Sequence, residues 1–421
     1  MKFHPLCGIA FFFGAAIVVL SGCARTLTPP LQATGASAVA HKPDAHEYKV
    51  LHSFAGTPDG QNPVEITGLG GSLYAGTFAG GTANFGAIFR LTLSGKESIV
   101  YSFRGGTDGW EPSSGLTEFH GSRYGVTYWG GGIGCRSGSG CGTIYALDPS
   151  GNERIVYRFK PNDTDGWFPN TTLVPMNGLL FGATAFGYEK TCGSYGCGRV
   201  YSLDATGKER VIYRFKGGAD GCWPTGLVAV KGVLYGITQN GGTGSGCGST
   251  GGIAFALTAT GKETVLHRFK DTPDGSMPNS LMVANGTLYG TTYYGGSSTC
   301  EGGGRPCGTV FSLTRSGREK VLYRFQGYSD GAGPNSVVMF DHTLYGTTGS
   351  GGGGSGLGNG TIFSLTTAGV KNTLYAFKAA PDGLNPGQLI DLQGTLYGVT
   401  GQGGTGKACS FGCGTVYKIA P

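Results

Sequence analysis

The sequence predicts an all-β protein: a seven-bladed β-propeller of four-stranded antiparallel blades, in which the N-terminal strand closes the last blade. Three observations support this prediction. One unit is repeated seven times, each copy carries four short apolar segments, and the two chain ends hold complementary parts of one copy. The copies are marked by the dipeptide Asp-Gly, which recurs every 49 to 57 residues, at Asp59, Asp108, Asp165, Asp220, Asp274, Asp330 and Asp382.

Each copy contains four segments that have the character of β-strands. In the fifth copy they are residues 281–283, 287–292, 309–313 and 321–325. These segments are rich in β-branched and aromatic side chains and are bounded by glycine or proline, which is typical of strands. Four strands in each of seven units predict the blades of a propeller, because radial repetition leaves only short, protected sheet edges.

The chain ends predict how the ring closes. The seventh copy contains segments at residues 395–398 and 415–419 and then stops without a fourth segment. Residues 48–54, before the first Asp-Gly, match the missing segment. One strand from the N-terminus and three from the C-terminus would therefore complete the last blade. An open solenoid would need capping repeats, and the sequence shows none.

Composition excludes several classes of protein. Glycine accounts for 83 of 421 residues, but no three-residue period indicates collagen, and 21 Tyr with 23 Phe provide material for a core. The net charge of +6 is spread along the chain without a run of five like charges, so no nucleic-acid partner is predicted. Residues 401–407 approach a phosphate-binding loop, but Ala408 replaces the magnesium-binding Ser or Thr, so no cofactor is predicted.

The N-terminal segment predicts export. Residues 8–20 form an apolar run of a length that suits a signal peptide and is too short to cross a bilayer. The following Leu20-Ser21-Gly22-Cys23 resembles the lipobox of bacterial lipoproteins, which implies that Cys23 carries a lipid. Ala24, rather than aspartate, then implies the outer membrane or cell surface. The alternative is an ordinary secretory signal with an incidental cysteine.

These features divide the chain into three parts. We expect a lipoprotein signal peptide at residues 1–22, a flexible tether rich in Ala, Thr and Pro at 23–47, and the propeller at 48–421. The lipid would be the only contact with the membrane.

The repeat, with its phrases D-G-x-x-P, L-Y-G-x-T, G-G, C-G-T-x-F and L-Y-x-F, resembles the GloVer tandem-repeat family of bacterial surface proteins. The resemblance extends over residues 48–419. It implies an exported, surface-attached protein and no established activity. Members of that family carry different anchors, which agrees with the lipobox.

Propeller geometry predicts that two kinds of loop share one face. Loops from the fourth strand to the next blade, which hold Asp-Gly, lie on the same side as loops between the second and third strands, which hold Gly-Gly. Without Cys7 and Cys23, ten of the 12 cysteines remain, an even number that suits disulfides in an exported protein. The expected pairs are Cys135–Cys141, Cys192–Cys197, Cys300–Cys307, Cys409–Cys413 and Cys222–Cys247. The rival interpretation, zinc held by closely spaced cysteines such as Cys192 and Cys197, fits export less well, and no metal is predicted.

The tryptophans mark a candidate binding surface on this face. We expect all four in its loops, three of them in consecutive blades, with Tyr128 beside one; the candidate ligand-binding residues are Trp110, Tyr128, Trp129, Trp167 and Trp223. An arc of aromatic rings suits stacking on sugar rings or contact with an envelope protein. The alternative is that each indole packs under its own loop.

Catalytic signals are weak. The repeated aspartate is better explained by turn chemistry, with its side chain bonded to backbone amides and glycine following at positive φ, than by calcium binding. No G-x-S-x-G motif is present, and no catalytic residue is assigned. Five acidic residues depart from the repeat: Glu111, Glu118, Asp163, Glu189 and Glu301. The sequence therefore predicts a binding module, with a polysaccharide hydrolase or lyase and a cell-surface scaffold as alternatives.

Overall fold

The computed structural model describes residues 46–421, except 133, 136–137, 162–164, 188–189, 244–245, 249–250, 298–299, 301–306, 354–357 and 379. The signal peptide, the lipobox and the tether up to residue 45 lie outside the described residues. Within the described part, no helix combines the length and the apolar character needed to cross a membrane. Short 3₁₀ segments accompany the strands at Lys190–Tyr195, Gly218–Asp220 and Tyr328–Asp330.

The described residues contain thirty β-strands. The first half of the chain contains β1 (Tyr48–Ser53), β2 (Gly60–Leu69), β3 (Ser72–Gly80), β4 (Ala87–Thr92), β5 (Glu97–Ser102), β6 (Gly109–Pro112), β7 (Thr117–Phe119), β8 (Ser122–Gly130), β9 (Thr143–Leu147), β10 (Glu153–Arg158), β11 (Trp167–Pro169), β12 (Val174–Met176), β13 (Leu179–Phe186), β14 (Arg199–Leu203) and β15 (Glu209–Arg214). The second half contains β16 (Cys222–Val230), β17 (Val233–Asn240), β18 (Ile253–Thr258), β19 (Glu263–Arg268), β20 (Ser276–Ala284), β21 (Thr287–Tyr294), β22 (Thr309–Leu313), β23 (Glu319–Arg324), β24 (Ala332–Phe340), β25 (Thr343–Ser350), β26 (Thr361–Thr366), β27 (Lys371–Ala376), β28 (Gly383–Leu392), β29 (Thr395–Gly403) and β30 (Thr415–Ile419).

The strands form seven antiparallel sheets, which confirms the predicted seven-bladed propeller. Blades 1 to 6 follow one another along the chain, and the innermost strand of blades 2 and 3 is split into two short strands. Blade 7 has the order β28-β29-β30-β1, so the N-terminal strand closes the ring as predicted. In this blade Tyr48 is opposite Ile419 and Val50 is opposite Tyr417.

A ring of aromatic contacts holds neighbouring blades together. The phenylalanine that follows each outer strand is buried and packs against an aromatic ring of the third strand of the next blade. The pairs, with centroid separations of 5.0 to 5.4 Å, are Phe54–Phe89, Phe103–Tyr145, Phe159–Tyr201, Phe215–Phe255, Phe269–Phe311, Phe325–Phe363 and Phe377–Tyr417. Because the first and last pairs include the closing blade, the contact runs around the whole ring.

A second set of inter-blade contacts, one at each blade interface, lies beside the proline of the Asp-Gly-x-x-Pro segment. The residue before the proline, here called the pre-proline residue, has a left-handed φ of 53° to 61° in every blade: Asn62, Glu111, Phe168, Trp223, Met277, Gly333 and Asn385. Its N–H donates to a carbonyl of the preceding blade, at Cys413, Phe85, Cys141, Cys197, Gly251, Cys307 and Asn359 respectively, over 2.8 to 3.0 Å. The left-handed conformation thus supplies one backbone hydrogen bond across each blade interface.

The repeated aspartate organises its turn, as the sequence predicted. Asp108 Oδ2 accepts from the backbone N–H of Arg104 at 3.0 Å, and Asp330 Oδ2 accepts from that of Gln326 at 2.8 Å. We also predicted that the glycine after this aspartate has positive φ. This is correct in three blades, at Gly221, Gly275 and Gly331. In the other four blades the glycine is required by space, since a Cβ would clash with a threonine of the second strand.

The two kinds of loop share one face, here called the loop face. The Gly-Gly loops donate backbone hydrogen bonds to the Asp-Gly loops, as in Gly131 N–H to Asp108 O at 2.8 Å and Gly404 N–H to Asp382 O at 2.7 Å. The structure contains the five expected disulfides, Cys135–Cys141, Cys192–Cys197, Cys222–Cys247, Cys300–Cys307 and Cys409–Cys413. The sulfur atoms of Cys192, Cys197 and Cys247 lie within 4.8 Å of one another, but as disulfides they are not thiolate ligands.

Candidate binding face

Aromatic side chains form a continuous band across the loop face from blade 1 to blade 4. Consecutive ring centroids lie 4.0 to 6.2 Å apart, in the order Phe85, Trp110, Trp129, Phe168, Trp167, Phe186 and Trp223. Tyr128 stacks on Phe168 at 4.4 Å, and Tyr195 lies 5.3 Å from Phe186. We call these nine residues the aromatic band.

The tryptophans are placed differently from the sequence-based expectation, which put them in loops. All four lie in strands, at the ends that reach the loop face: Trp110 in β6, Trp129 in β8, Trp167 in β11 and Trp223 in β16. Trp110 and Trp129 are directly opposite each other in the sheet of blade 2.

Trp223 is also not the equivalent of Trp110 and Trp167. Cys222 takes that position in blade 4, because its sequence is Asp-Gly-Cys-Trp-Pro. Trp223 is instead a pre-proline residue with a φ of 61°, like Glu111 and Phe168. A bulky residue in this conformation costs about 1–2 kcal/mol, which the inter-blade hydrogen bond offsets.

The band contains both supporting and accessible rings. Trp167 and Phe168 are only 5% and 3% exposed, and Trp167 Nε1 donates to the carbonyl of Gly187 at 3.1 Å. Trp167 is therefore buried, but beneath the loop between β13 and β14 and not beneath its own loop. Trp110, Trp129 and Trp223 are partly exposed. Phe168 and Phe186 support them, and the sequence signal for Phe168 was its position before the repeated proline.

Glu111 places a carboxyl group among these rings. Burial raises the pKa of Glu111 to about 7, and a hydrogen bond with Trp129 opposes this rise. Burial, followed by the charge of Glu111, also raises the pKa of Tyr128. Near neutral pH the Glu111 carboxyl can therefore either accept or donate a hydrogen bond beside the aromatic surface.

The other acidic residues that depart from the repeat do not join this group. Glu118 is 58% exposed, with its carboxylate 3.9 Å from the Arg123 guanidinium. Asp163, Glu189 and Glu301 lie outside the described residues. Among the groups that shift the pKa of Glu111 in the described part of the chain, no second carboxylate is found. Glycoside hydrolysis ordinarily needs two carboxyl groups that flank the scissile bond.

The central channel contains a cavity of about 760 Å³, lined by the inner strands of the blades. Several of its polar side chains form hydrogen bonds between blades. Thr225 donates to the carbonyl of Pro278 at 3.4 Å, and Asn279 donates to that of Pro334 at 3.0 Å. Glu65 accepts from the N–H of Gly115 at 2.9 Å and from the Thr172 hydroxyl. These contacts stabilise the ring, so the aromatic band is the better candidate for a binding site.

Comparison of the sequence with protein families gives a match to the Gloeobacter/Verrucomicrobia repeat over residues 32–249 and 137–300. The chain belongs to this family. The matched regions together span most of the chain and include blades 1 to 4. No curated protein matches the sequence of this family member.

Solved structures similar to this member of the Gloeobacter/Verrucomicrobia repeat family have low sequence identity. The computationally designed Ika8 protein is 11% identical, with a TM-score of 0.47, and the match covers 88% of this chain and 99% of that one. A luciferin-regenerating enzyme is 11% identical, with a TM-score of 0.45 and coverage of 89% and 95%. The PQQ-bound aldose sugar dehydrogenase of Streptomyces coelicolor is 12% identical, with a TM-score of 0.44 and coverage of 90% and 99%.

Proposed function

We propose that this protein is an exported, lipid-anchored binding module whose aromatic band binds carbohydrate. The observation that carries the proposal is the continuity of the band, in which partly exposed indoles from blades 2 and 4 are joined through the buried Trp167 and Phe168 and the partly buried Phe186 of blade 3. A band that crosses three blade interfaces is suited to an extended ligand more than to a single sugar unit.

Physical chemistry favours a sugar as the occupant. The faces of sugar rings are apolar and stack on indole rings, while their hydroxyl groups need hydrogen-bonding partners at the edge of the aromatic surface. Trp110 and Trp129 supply such a surface, and Glu111 supplies a carboxyl beside it. An envelope protein that inserts apolar side chains is the main competing occupant.

Binding is favoured over hydrolysis because Glu111 has no second carboxylate beside it among the described residues. Its raised pKa would suit a general acid, but the described residues bring no nucleophile or base carboxylate to it. We therefore expect no release of reducing ends or unsaturated products from any polysaccharide that the protein binds.

Affinity electrophoresis in gels containing single polysaccharides tests the proposal. We expect at least one polysaccharide to retard the wild-type protein, and the double substitution Trp110→Ala with Trp129→Ala to weaken the affinity at least tenfold. Phe411→Ala is the matched control, because Phe411 is an aromatic residue of the blade-7 loop between β29 and β30 and is 68% exposed. Equal retardation of wild type and double variant would reject the aromatic band as the site.

The anchor has its own test. The lipobox Leu20-Ser21-Gly22-Cys23 supports lipid attachment at Cys23. Metabolic labelling with a radioactive fatty acid should label the wild-type protein, and Cys23→Ala should abolish the label and release the protein from the membrane fraction. Undiminished labelling of the Cys23→Ala variant would contradict the lipid anchor.

A further inference from the structure

A three-residue cluster recurs at the outer edge of the blade interfaces. The outer strand of one blade contributes an aromatic residue, the following Asp-Gly turn contributes its aspartate, and the outer strand of the next blade contributes its first residue. That first residue is glutamate at five interfaces: Glu97, Glu153, Glu209, Glu263 and Glu319. At the other two interfaces it is Lys371, 2.8 Å from Asp330, or Tyr48, which donates to Asp382 at 2.7 Å.

The aromatic member is tyrosine at five interfaces and histidine at two. The tyrosine hydroxyls donate to the aspartates over 2.6 to 2.9 Å, in the pairs Tyr101–Asp108, Tyr157–Asp165, Tyr213–Asp220, Tyr323–Asp330 and Tyr375–Asp382. His52 and His267 replace this tyrosine. At these two interfaces an imidazole faces two carboxyl groups in place of a phenol.

Each histidine cluster brings three donor atoms together. One ligand atom from each of His52, Asp59 and Glu97 lies within 4.8 Å of the other two, and the same is true of His267, Asp274 and Glu319. In the first cluster His52 Nε2, Asp59 Oδ1 and Glu97 Oε1 are buried atoms without a hydrogen-bond partner among the described residues. Glu153 Oε1 and Glu263 Oε1 are equally without a hydrogen-bond partner at tyrosine interfaces, so the glutamate atom does not set this cluster apart. His52 Nε2, which lies 3.5 Å from Asp59 Oδ2, and Asp59 Oδ1 do set it apart, and because buried polar atoms are nearly always partnered they point to a missing ligand.

The imidazoles are held in place by packing. His52 meets Phe54 edge to face with centroids 4.7 Å apart, and His267 meets Phe269 in the same way at 4.8 Å. Tyr101 and Phe103 have the same arrangement at 5.1 Å. The histidine rings therefore occupy the place of the tyrosine rings, and the backbone of the repeat does not need to adjust to them.

We propose that His52–Asp59–Glu97 and His267–Asp274–Glu319 each bind one divalent transition-metal ion. One imidazole nitrogen and two carboxylates form a donor set that suits Zn²⁺ or Mn²⁺, and two carboxylates balance the charge of the ion. Three protein ligands leave a coordination position for water. One ion joins blade 7 to blade 1, where the N-terminal strand closes the ring, and the other joins blade 4 to blade 5.

At the remaining interfaces, a residue that does not bind a metal ion occupies one position of the cluster. Burial raises the pKa of Tyr213, so its phenol stays neutral and donates to Asp220. Lys371 brings its own positive charge to Asp330. His267 keeps the contact with the aspartate, its Nε2 lying 2.9 Å from Asp274 Oδ2, but an imidazole nitrogen, unlike a neutral phenol, is a common metal ligand.

Zinc binding to the full-length purified protein tests this proposal, with ZnCl₂ as the probe. After treatment with EDTA, isothermal titration should give two ions per chain. The double variant His52→Tyr with His267→Tyr should bind none, and each single variant should bind one. Because tyrosine is the residue of the other five interfaces, the variants are expected to keep the fold, which circular dichroism checks. Zinc should raise the thermal midpoint of the wild type but not of the double variant.

A gain-of-site variant gives the converse test. Tyr213→His places an imidazole beside Asp220 and Glu263 and should raise the stoichiometry from two to three. The proposal is overturned if the wild type binds no zinc stoichiometrically, or if the double variant binds as many ions as the wild type. It is also overturned if folded Tyr213→His still binds two.

Discussion

At the scale of single residues, one position of the repeat has two roles. Trp110 and Trp167 are equivalent, but Trp167 is 5% exposed with its indole N–H bonded to Gly187, whereas Trp110 is partly exposed. The difference arises because Phe186 and Tyr195 of blade 3 cover Trp167. Trp167 therefore belongs to the core and Trp110 to the surface of the aromatic band.

This difference predicts separate effects on stability. Trp167→Ala should lower the free energy of unfolding by about 3–5 kcal/mol, because it removes a buried ring and leaves the Gly187 carbonyl without its donor. Trp110→Ala should cost less than half as much, since part of its ring already faces solvent. Urea unfolding of both variants measures the difference, and equal losses would contradict the assigned roles.

The role of a single residue could be predicted from the sequence where the same residue recurs at the same position of every copy. The aspartate of Asp-Gly was assigned to turn formation because it recurs in all seven copies, and its side chain does bond to nearby amides. The burial of Trp167 could not be predicted, since it depends on rings that the fold brings from elsewhere in blade 3. The left-handed conformation of the pre-proline residue could not be predicted either, because its hydrogen-bond partner lies on another blade.

At the scale of strands and loops, neighbouring blades approach closely where the glycine before a third strand packs against the proline of the next blade. A Cβ on Gly252, which has a φ of 110°, would lie 2.4 Å from Thr238 O of its own blade and 2.5 Å from Pro278 Cδ of the next blade. Gly132 has nearly the same φ, 112°, and no atom within 4 Å of a Cβ. Both alanine substitutions strain the backbone by about 1–2 kcal/mol, but Gly252→Ala should cost about 1–3 kcal/mol more. Equal urea midpoints for the two variants would show that this contact does not hold the blades.

The outer strands carry a pH-dependent contribution. Burial, followed by the charge of Asp220, raises the pKa of Glu263 to about 7. Because this folded-state pKa exceeds the unfolded value, the stabilisation is complete below about pH 4.5 and is lost as the pH rises to 7. With solvent screening, Glu263 should account for about 1 kcal/mol of lost stability between pH 5 and pH 8. Glu263→Gln should remove this loss in urea unfolding at both pH values, and an unchanged pH dependence would contradict it.

At the scale of the whole molecule, the ring depends on its N-terminal strand. The fold class and this closure were predictable, because the missing segment of the seventh copy is visible at the other end of the chain. Removing residues up to Phe54 would delete β1, expose the edge of β30 and leave Phe89 without its aromatic partner. A chain that begins at Ala55 should unfold at lower urea than one that begins at His46, and equal midpoints would contradict closure by β1.

The seven-fold ring also explains where function can reside. The aromatic contacts and the pre-proline hydrogen bonds are present at every interface and serve the fold. The aromatic band is restricted to four neighbouring blades, and the histidine clusters to two interfaces. The position of the aromatic band could be anticipated in part from the tryptophans, but its support by Phe168 and its carboxyl at Glu111 required the structure.

The central claim is that the aromatic band stacks on carbohydrate, and tryptophan fluorescence tests it most directly. All four tryptophans of the chain belong to the band, so the emission reports on no other site. Titration with a polysaccharide that retards the protein should shift and saturate the emission, and Trp110→Ala with Trp129→Ala should remove most of the change. Saturable binding that leaves the emission of the wild type unaltered would contradict the account.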